Sequence, residues 1–184
     1  GVFAFVASKV VPSAILWWPS KAGSALHSVR SLAKVAPVVP FNVSVLPEQA
    51  EYVTSYVGYD HGQIGEIAGA QALDARNASL AAGNTLRGAG NILQFNFGAG
   101  LTEADERIAG FAKASKSKPF TVLTNEPSGI NADSAYKSAV QLVPKYAADG
   151  IDFVYAMNYQ IGLGVAKALQ ENGLTPGKDV FIIG

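Results

Sequence analysis

The stretch Asn91 to Phe111, NILQFNFGAGLTEADERIAGF, constrains the fold more than any other part of the chain. Apolar residues stand adjacent and then alternate (Ile92, Leu93, Phe95, Phe97), Gly98 and Gly100 follow, and the spacing then turns helical, with Ala104, Ile108 and Phe111 on one face. The pattern predicts a strand, a tight loop and a helix. Thr102 stands where an N-cap belongs. Glu103, Asp105 and Glu106 fill the first turn, where the positive end of the helix dipole favours acids, and Arg107 follows one turn in. A loop of this kind opens at the carboxyl end of a parallel strand, which is where open α/β sheets bind ligands.

The rest of the chain extends this unit in both directions. Before it, residues 2–11 have the apolar content of a buried helix or strand, which periodicity does not separate, and a helix is favoured; then come a strand from Ala14 to Trp18, a helix from Ala22 to Lys34 and a strand from Val35 to Phe41. Residues 42–56 are polar and irregular, as a connection between lobes would be. A brief strand end and turn at Val57 to Asp60 leads to an alanine-rich helix at 62–82, whose Gly65 and Gly69 allow close packing. After the central unit come a strand at 120–124, a helix at 132–148, a strand at 153–156, a helix at 160–172 and a strand at 180–183. Strands alternating with helices predict doubly wound parallel sheets covered on both faces and joined by right-handed crossovers.

Composition closes off several classes of function. The chain has 184 residues, 49% of them hydrophobic, which suffices for a substantial core. Fourteen basic residues balance fourteen acidic ones and no two Lys/Arg residues are adjacent, so neither nucleic acid nor an anionic membrane is an expected partner. There is no cysteine, hence no disulfide, thiolate nucleophile or thiolate metal site. His27 and His61 are the only histidines, and hydrogen-bonded or surface roles suit them better than metal binding. The apolar opening, GVFAFVASKVVPSAILWW, is interrupted by Lys9 and Pro12 and is too short without a charge to span a membrane.

The chain offers little for catalysis. The Gly98-Ala-Gly100 loop begins like a dinucleotide fingerprint, but Glu103 stands where the third glycine belongs, and its carboxylate would repel a pyrophosphate. There is no Walker sequence, GxSxG elbow or HExxH. We therefore expect a protein that is not an enzyme and needs no metal or nucleotide cofactor. Binding of a neutral polyol suits the strand ends better. Trp18, Asn42, Arg107 and Asn158 stand near such ends, and together they supply an aromatic face, a fork of donors and two amides. Three of them also have a plain structural reading: Trp18 as core, Asn42 as the cap of a turn, and Arg107 as a partner of Glu103 one turn back.

The order VPSAILWWPS, APVVPFN, YVGYDHGQIGEIAGAQAL, NILQFNFGAGLTEADERIAGF, FVYAMNYQIGLGVAKALQENG and DVFIIG resembles the periplasmic sugar-binding proteins of the ribose-binding type. Those proteins share their fold with the effector domains of lactose-repressor-like regulators. The resemblance runs nearly the whole length. Its most specific parts are Glu106-Arg107 with Gly110-Phe111 after a glycine-containing loop, and Asn158 opening the helix that reads GLGVAKAL. It implies that Arg107 and Asn158 bind sugar hydroxyls, that Trp18 falls at a ligand position often polar in the family, and that Asn42 falls on a position commonly aspartate. Val43 stands where an arginine is frequent, and Tyr159 where an acid is frequent.

The resemblance further implies a two-lobed architecture present here as an incomplete portion. Residues 1–43 would form the later part of the N-terminal lobe, 44–56 a hinge crossing, and 57–184 most of the C-terminal lobe, all within a longer polypeptide. The implied function is capture of a sugar or polyol between two lobes and its delivery to a membrane ABC permease from a periplasmic or extracytoplasmic location. The alternative is the effector-binding domain of a lactose-repressor-like transcription regulator.

Overall fold

Every strand among the described residues pairs in parallel, as a chain that alternates strands with helices requires. The computed structural model describes residues 12–19, 21–115 and 120–184; the helix expected over residues 2–11 lies outside them. The chain divides into two units. One reaches to Asp60 and includes Gly100–Glu103; the other comprises His61–Ala99 and Ala104–Gly184. Among the described residues, no helix is long and apolar enough to cross a membrane.

In the first unit, strands β1 (Ile15–Trp17) and β2 (Val38–Pro40) pair side by side, with Ile15 opposite Val38 and Trp17 opposite Pro40. Helix α1 (Leu26–Ala33) covers them through Val29 and Leu32, which form a core with Val38 against which Ile15, Trp17, Leu26, Tyr52 and Val53 pack. The helix expected from Ala22 is split: Ala22–Ser24 is a 3-10 turn and the α-helix begins at Leu26. The strand expected from Val35 begins only at Val38, because the N–H groups of Val35 and Ala36 still bond to Leu32 O at the helix end. Residues 42–56 are more ordered than their composition predicts. They hold a 3-10 helix, Pro47–Tyr52, pinned by the fully buried Gln49, whose Nε2 donates to Ala22 O at 2.5 Å and whose Oε1 accepts from Leu46 N at 3.0 Å. A buried amide is tolerable only when both its ends are bonded, and here both are.

The second unit is a four-stranded sheet in the order β4-β3-β5-β6, with β3 Asn91–Asn96, β4 Thr121–Pro127, β5 Phe153–Ala156 and β6 Phe181–Ile183. Helices α2 (His61–Ala81) and α3 (Thr102–Ser115) belong to one face, and α4 (Ala132–Tyr146) and α5 (Tyr159–Glu171) to the other. On the first face, Phe111 of α3 stacks on Tyr155 at 4.6 Å, and Phe153 lies between Phe120 at 5.2 Å and Phe181 at 5.7 Å. Pairs of this kind add about 0.5–1.5 kcal/mol each beyond the area they bury. On the opposite face, α5 approaches so closely that a methyl group at Gly162 would touch Ile182 and Ala156 at 3.6 and 3.7 Å.

Strands buried on both faces are expected to be mostly apolar: β5 is apolar throughout and β3 is buried from Ile92 to Asn96 although Gln94 and Asn96 interrupt its apolar residues, whereas the edge strand β4 is largely exposed. β4 runs to Pro127, three residues beyond the expected end. Its pairing with β3 continues through Asn125, Glu126 and Pro127, which hydrophobicity alone does not mark as strand.

Candidate functional site

The order β4-β3-β5-β6 sets the place. After β3 the chain moves to one side, to β4, and then crosses back to β5 on the other, so the direction of winding reverses between β3 and β5. The loops at the carboxyl ends of those two strands diverge there and leave a crevice, the usual ligand position in such sheets. The loop after β3 is shaped by Asn96. Its Oδ1 accepts from Gly98 N at 2.8 Å and its Nδ2 donates to Asn125 Oδ1 at 2.7 Å, while Gly100 turns the chain at φ 71° into α3.

Arg107 reaches across this crevice. Its Nη1 donates to Met157 O, just past the end of β5, at 2.5 Å; its Nε donates to His61 Nδ1 at 3.2 Å; and its guanidinium lies 5.0 Å from the centre of the Phe97 ring. A planar group met from three directions keeps one orientation, which is the preorganisation a binding cation needs. Tyr155, at 1% exposure, lies on the same side. Its hydroxyl has no hydrogen-bond partner among the described residues, and burial pushes its pKa up to about 12 against the opposing pull of the Arg107 charge.

The sequence placed Arg107 and Asn158 on one rim, and the structure brings them to adjacent points, since Arg107 bonds to the carbonyl of the residue before Asn158. Asn158 caps α5. Its Oδ1 accepts from Ile161 N at 2.8 Å, and its Nδ2 donates to Ile130 O at 3.0 Å, tying the loop ahead of α4 to the start of α5. We expect Asn158→Ala to cost about 1–2 kcal/mol from loss of the cap and its loop bond, read as a lowered urea midpoint. A variant as stable as the parent would show that this cap contributes nothing.

Trp18 and Asn42 belong to the first unit. Successive residues of a strand face opposite ways, so Trp17 packs on the core while Trp18, 61% exposed, packs against Phe41 with ring centres 5.7 Å apart. Asn42 follows Phe41 at φ 66°, a conformation asparagine tolerates better than most residues. Its N–H donates to Val57 O at 3.0 Å, and its carbonyl accepts from Tyr56 OH at 3.0 Å. Val43, next in the chain, is fully buried, so this position contributes to the core.

Two further groups matter here: His61, to which the sequence assigned a hydrogen-bonded or surface role without its partner, and Asp152, which it did not single out. His61 is a buried acceptor for Arg107, with only its position at a helix start to mark it. Asp152 sits at the start of β5, 1% exposed, where it accepts hydrogen bonds from the N–H groups of Arg87, Gly88, Gly90 and Asn91. A lone acid at the start of an apolar strand was its signal. Among the described residues, no group of three or more His, Cys, Asp or Glu is placed to hold a metal ion.

Comparison with known proteins accords with this geometry. A family model described as a periplasmic binding protein domain matches residues 4–184. The galactofuranose-binding protein YtfQ of Escherichia coli is 33% identical over 93 residues, covering 50% of this chain and 29% of its own. Among solved structures, a galactofuranose-binding protein superposes with a TM-score of 0.84 at 22% identity, covering 98% of this chain and 58% of that one. The binding component of the arabinose ABC transporter from Shewanella, bound to α- and β-L-arabinofuranose, gives 0.80 at 20% identity, over 98% and 57%. The chain thus spans well under two thirds of the length of the proteins it matches.

Proposed function

Because this chain belongs to the periplasmic binding protein domain family, we propose that the protein captures a monosaccharide or polyol and delivers it to a membrane ABC importer. The observation that carries this reading is the fixed position of Arg107 at the β3–β5 switch point, held by His61, Met157 O and the Phe97 ring. A guanidinium held in this way meets vicinal hydroxyls as a fork of donors without first losing conformational freedom. In the first unit the exposed Trp18 ring, braced on Phe41, is a face of the kind that packs against the C–H surface of a sugar. Similar solved proteins are bound to arabinofuranose, fucofuranose and D-allose, which supports a monosaccharide here. Delivery to an importer places the protein outside the cytoplasmic membrane, and a binding role requires no catalytic group.

Calorimetric titration of the intact protein with pentoses, hexoses and inositols tests the proposal. We expect one sugar to bind, and Arg107→Ala to weaken that binding by about 1.5–3 kcal/mol, the range for a hydrogen bond to a charged group. Unchanged affinity in the variant would remove Arg107 from the site. Failure of the parent to bind any of the panel would remove the sugar.

A further inference from the structure

Asparagine is a poor strand former, yet Asn96 ends the buried strand β3 at 5% exposure. A buried amide must be bonded at both its ends, and this one is. Its Oδ1 accepts from Gly98 N at 2.8 Å, closing a turn around Phe97, and its Nδ2 donates to Asn125 Oδ1 on β4 at 2.7 Å. Its carbonyl accepts from Ser128 N at 3.0 Å and from Ser128 Oγ at 3.3 Å, so the exit from β4 is fixed to the same residue. The two side-chain bonds differ in what they hold. Asn125 is exposed, and water can take its place. The bond to Gly98 closes the chain over the residue between.

That residue is Phe97. It is held before by the pairing of Asn96 with Pro127 in the sheet and after by the bond to Gly98 N. With both flanks fixed, its ring centre stands 5.0 Å from the Arg107 guanidinium. We infer that Asn96 is a positioning residue for the candidate site: through its bond to Gly98 N it sets the Phe97 ring against Arg107. For its effect on affinity the inference rests on the reading of Arg107 as a sugar-binding group; for its effect on structure it does not. A guanidinium is attracted to a ring face, and the ring covers one side of it, so the plane in which its donors fan out follows the ring. A role confined to joining β3 to the edge strand would act through Asn125 instead. Losing either role lowers stability, but only the first moves Phe97.

Variants of the intact protein separate the two roles. Asn96→Ala loses both side-chain bonds, and Asn125→Ala loses only the bridge to β4. Asn96→Asp keeps an oxygen for Gly98 N, while the Asn125 amide can turn to donate to the other oxygen. Proton–nitrogen NMR without sugar reads the Arg107 Nε–H signal, which the Phe97 ring displaces, and Phe97→Leu marks its undisplaced position. We expect Asn96→Ala to move the signal toward that position, and Asn125→Ala and Asn96→Asp to leave it near that of the parent. A signal unmoved in folded Asn96→Ala, or moved as far in Asn125→Ala, would overturn the inference. Should Asn96→Ala not fold, Asn125→Ala and Asn96→Asp decide, because a displaced signal in both would assign Asn96 to the edge strand alone. Calorimetry with L-arabinose and D-galactose then reads the consequence. Affinity should fall about tenfold in Asn96→Ala and in Phe97→Leu and recover in Asn96→Asp. Affinity unchanged in Asn96→Ala would overturn the inference. If the parent binds neither sugar, the proposed function fails for both, and the NMR result alone decides the role of Asn96.

Discussion

Replacing Asp152 by alanine should destabilise the second unit by about 3–5 kcal/mol, because it strands several backbone donors at once. The carboxylate accepts from Arg87 N at 2.5 Å, Gly88 N at 3.1 Å, Gly90 N at 2.6 Å and Asn91 N at 3.1 Å, and Gly90 is itself buried. Four converging amides neutralise a charge that burial alone would expel. Water can partly rescue the donors at Arg87, Gly88 and Asn91 in the variant, which is why the expected loss is smaller than four full desolvation penalties. Asp152→Asn keeps one acceptor oxygen and should fall between parent and alanine. Urea unfolding followed by circular dichroism measures the loss, and hydrogen exchange at residues 87–91 locates it. A change below about 1 kcal/mol in the alanine variant would mean that the carboxylate contributes far less than its bonds imply.

The second large effect is expected at Gly65. Alanine in a helix interior is normally better than glycine by about 1 kcal/mol, so propensity alone predicts stabilisation. Here α2 and α3 cross so closely that a methyl group at Gly65 would strike the carbonyl of Arg107 and come within 2.9 Å of its Cα. The obstacle is backbone, which no rotamer relieves. Pushing the helices apart costs about 3 kcal/mol, which outweighs the propensity gain and leaves a net loss of about 2 kcal/mol. Gly69 and Gly110 line the same contact, facing Phe111 O and Gly62 O. Because Arg107 rides on α3, Gly65→Ala should also weaken the sugar binding proposed for it, whereas Gly83→Ala, at φ 81° with open space around it, should strain only its own turn. A stabilised Gly65→Ala with unchanged affinity would show that the helices can separate at no cost.

How much was legible in the sequence depended on the range of the interaction involved. Residues 91–111 announced a strand, a glycine turn and an acid-rich helix start through local spacing, and the structure forms Asn91–Asn96 and Thr102–Ser115 from them. Hydrophobic period likewise placed the helices near His61–Ala81, Ala132–Tyr146 and Tyr159–Glu171 within a residue or two at most ends. Alternation of strands with helices indicated the parallel sheet and strand-end position pointed to Arg107 and Asn158, while resemblance to a known family implied two lobes and a sugar ligand. Where a single polar side chain acts at long range, the pattern was silent. Gln49 bonds 27 positions back to Ala22 and orders a segment that composition marks as irregular.

Tertiary structure alone decided the partners. His61 and Arg107 are 46 positions apart, Asp152 and the amides it gathers are 61 to 65 apart, and nothing in their local spacing couples them. Hydrophobic period reports which face of an element is buried; it does not report which donor meets which acceptor once two elements cross. The sequence by itself determined a parallel α/β chain with its loops at one rim. Packing at glycines 65, 69 and 110 brought the α3 backbone against α2, and that close approach set His61 against Arg107 at the switch point between β3 and β5.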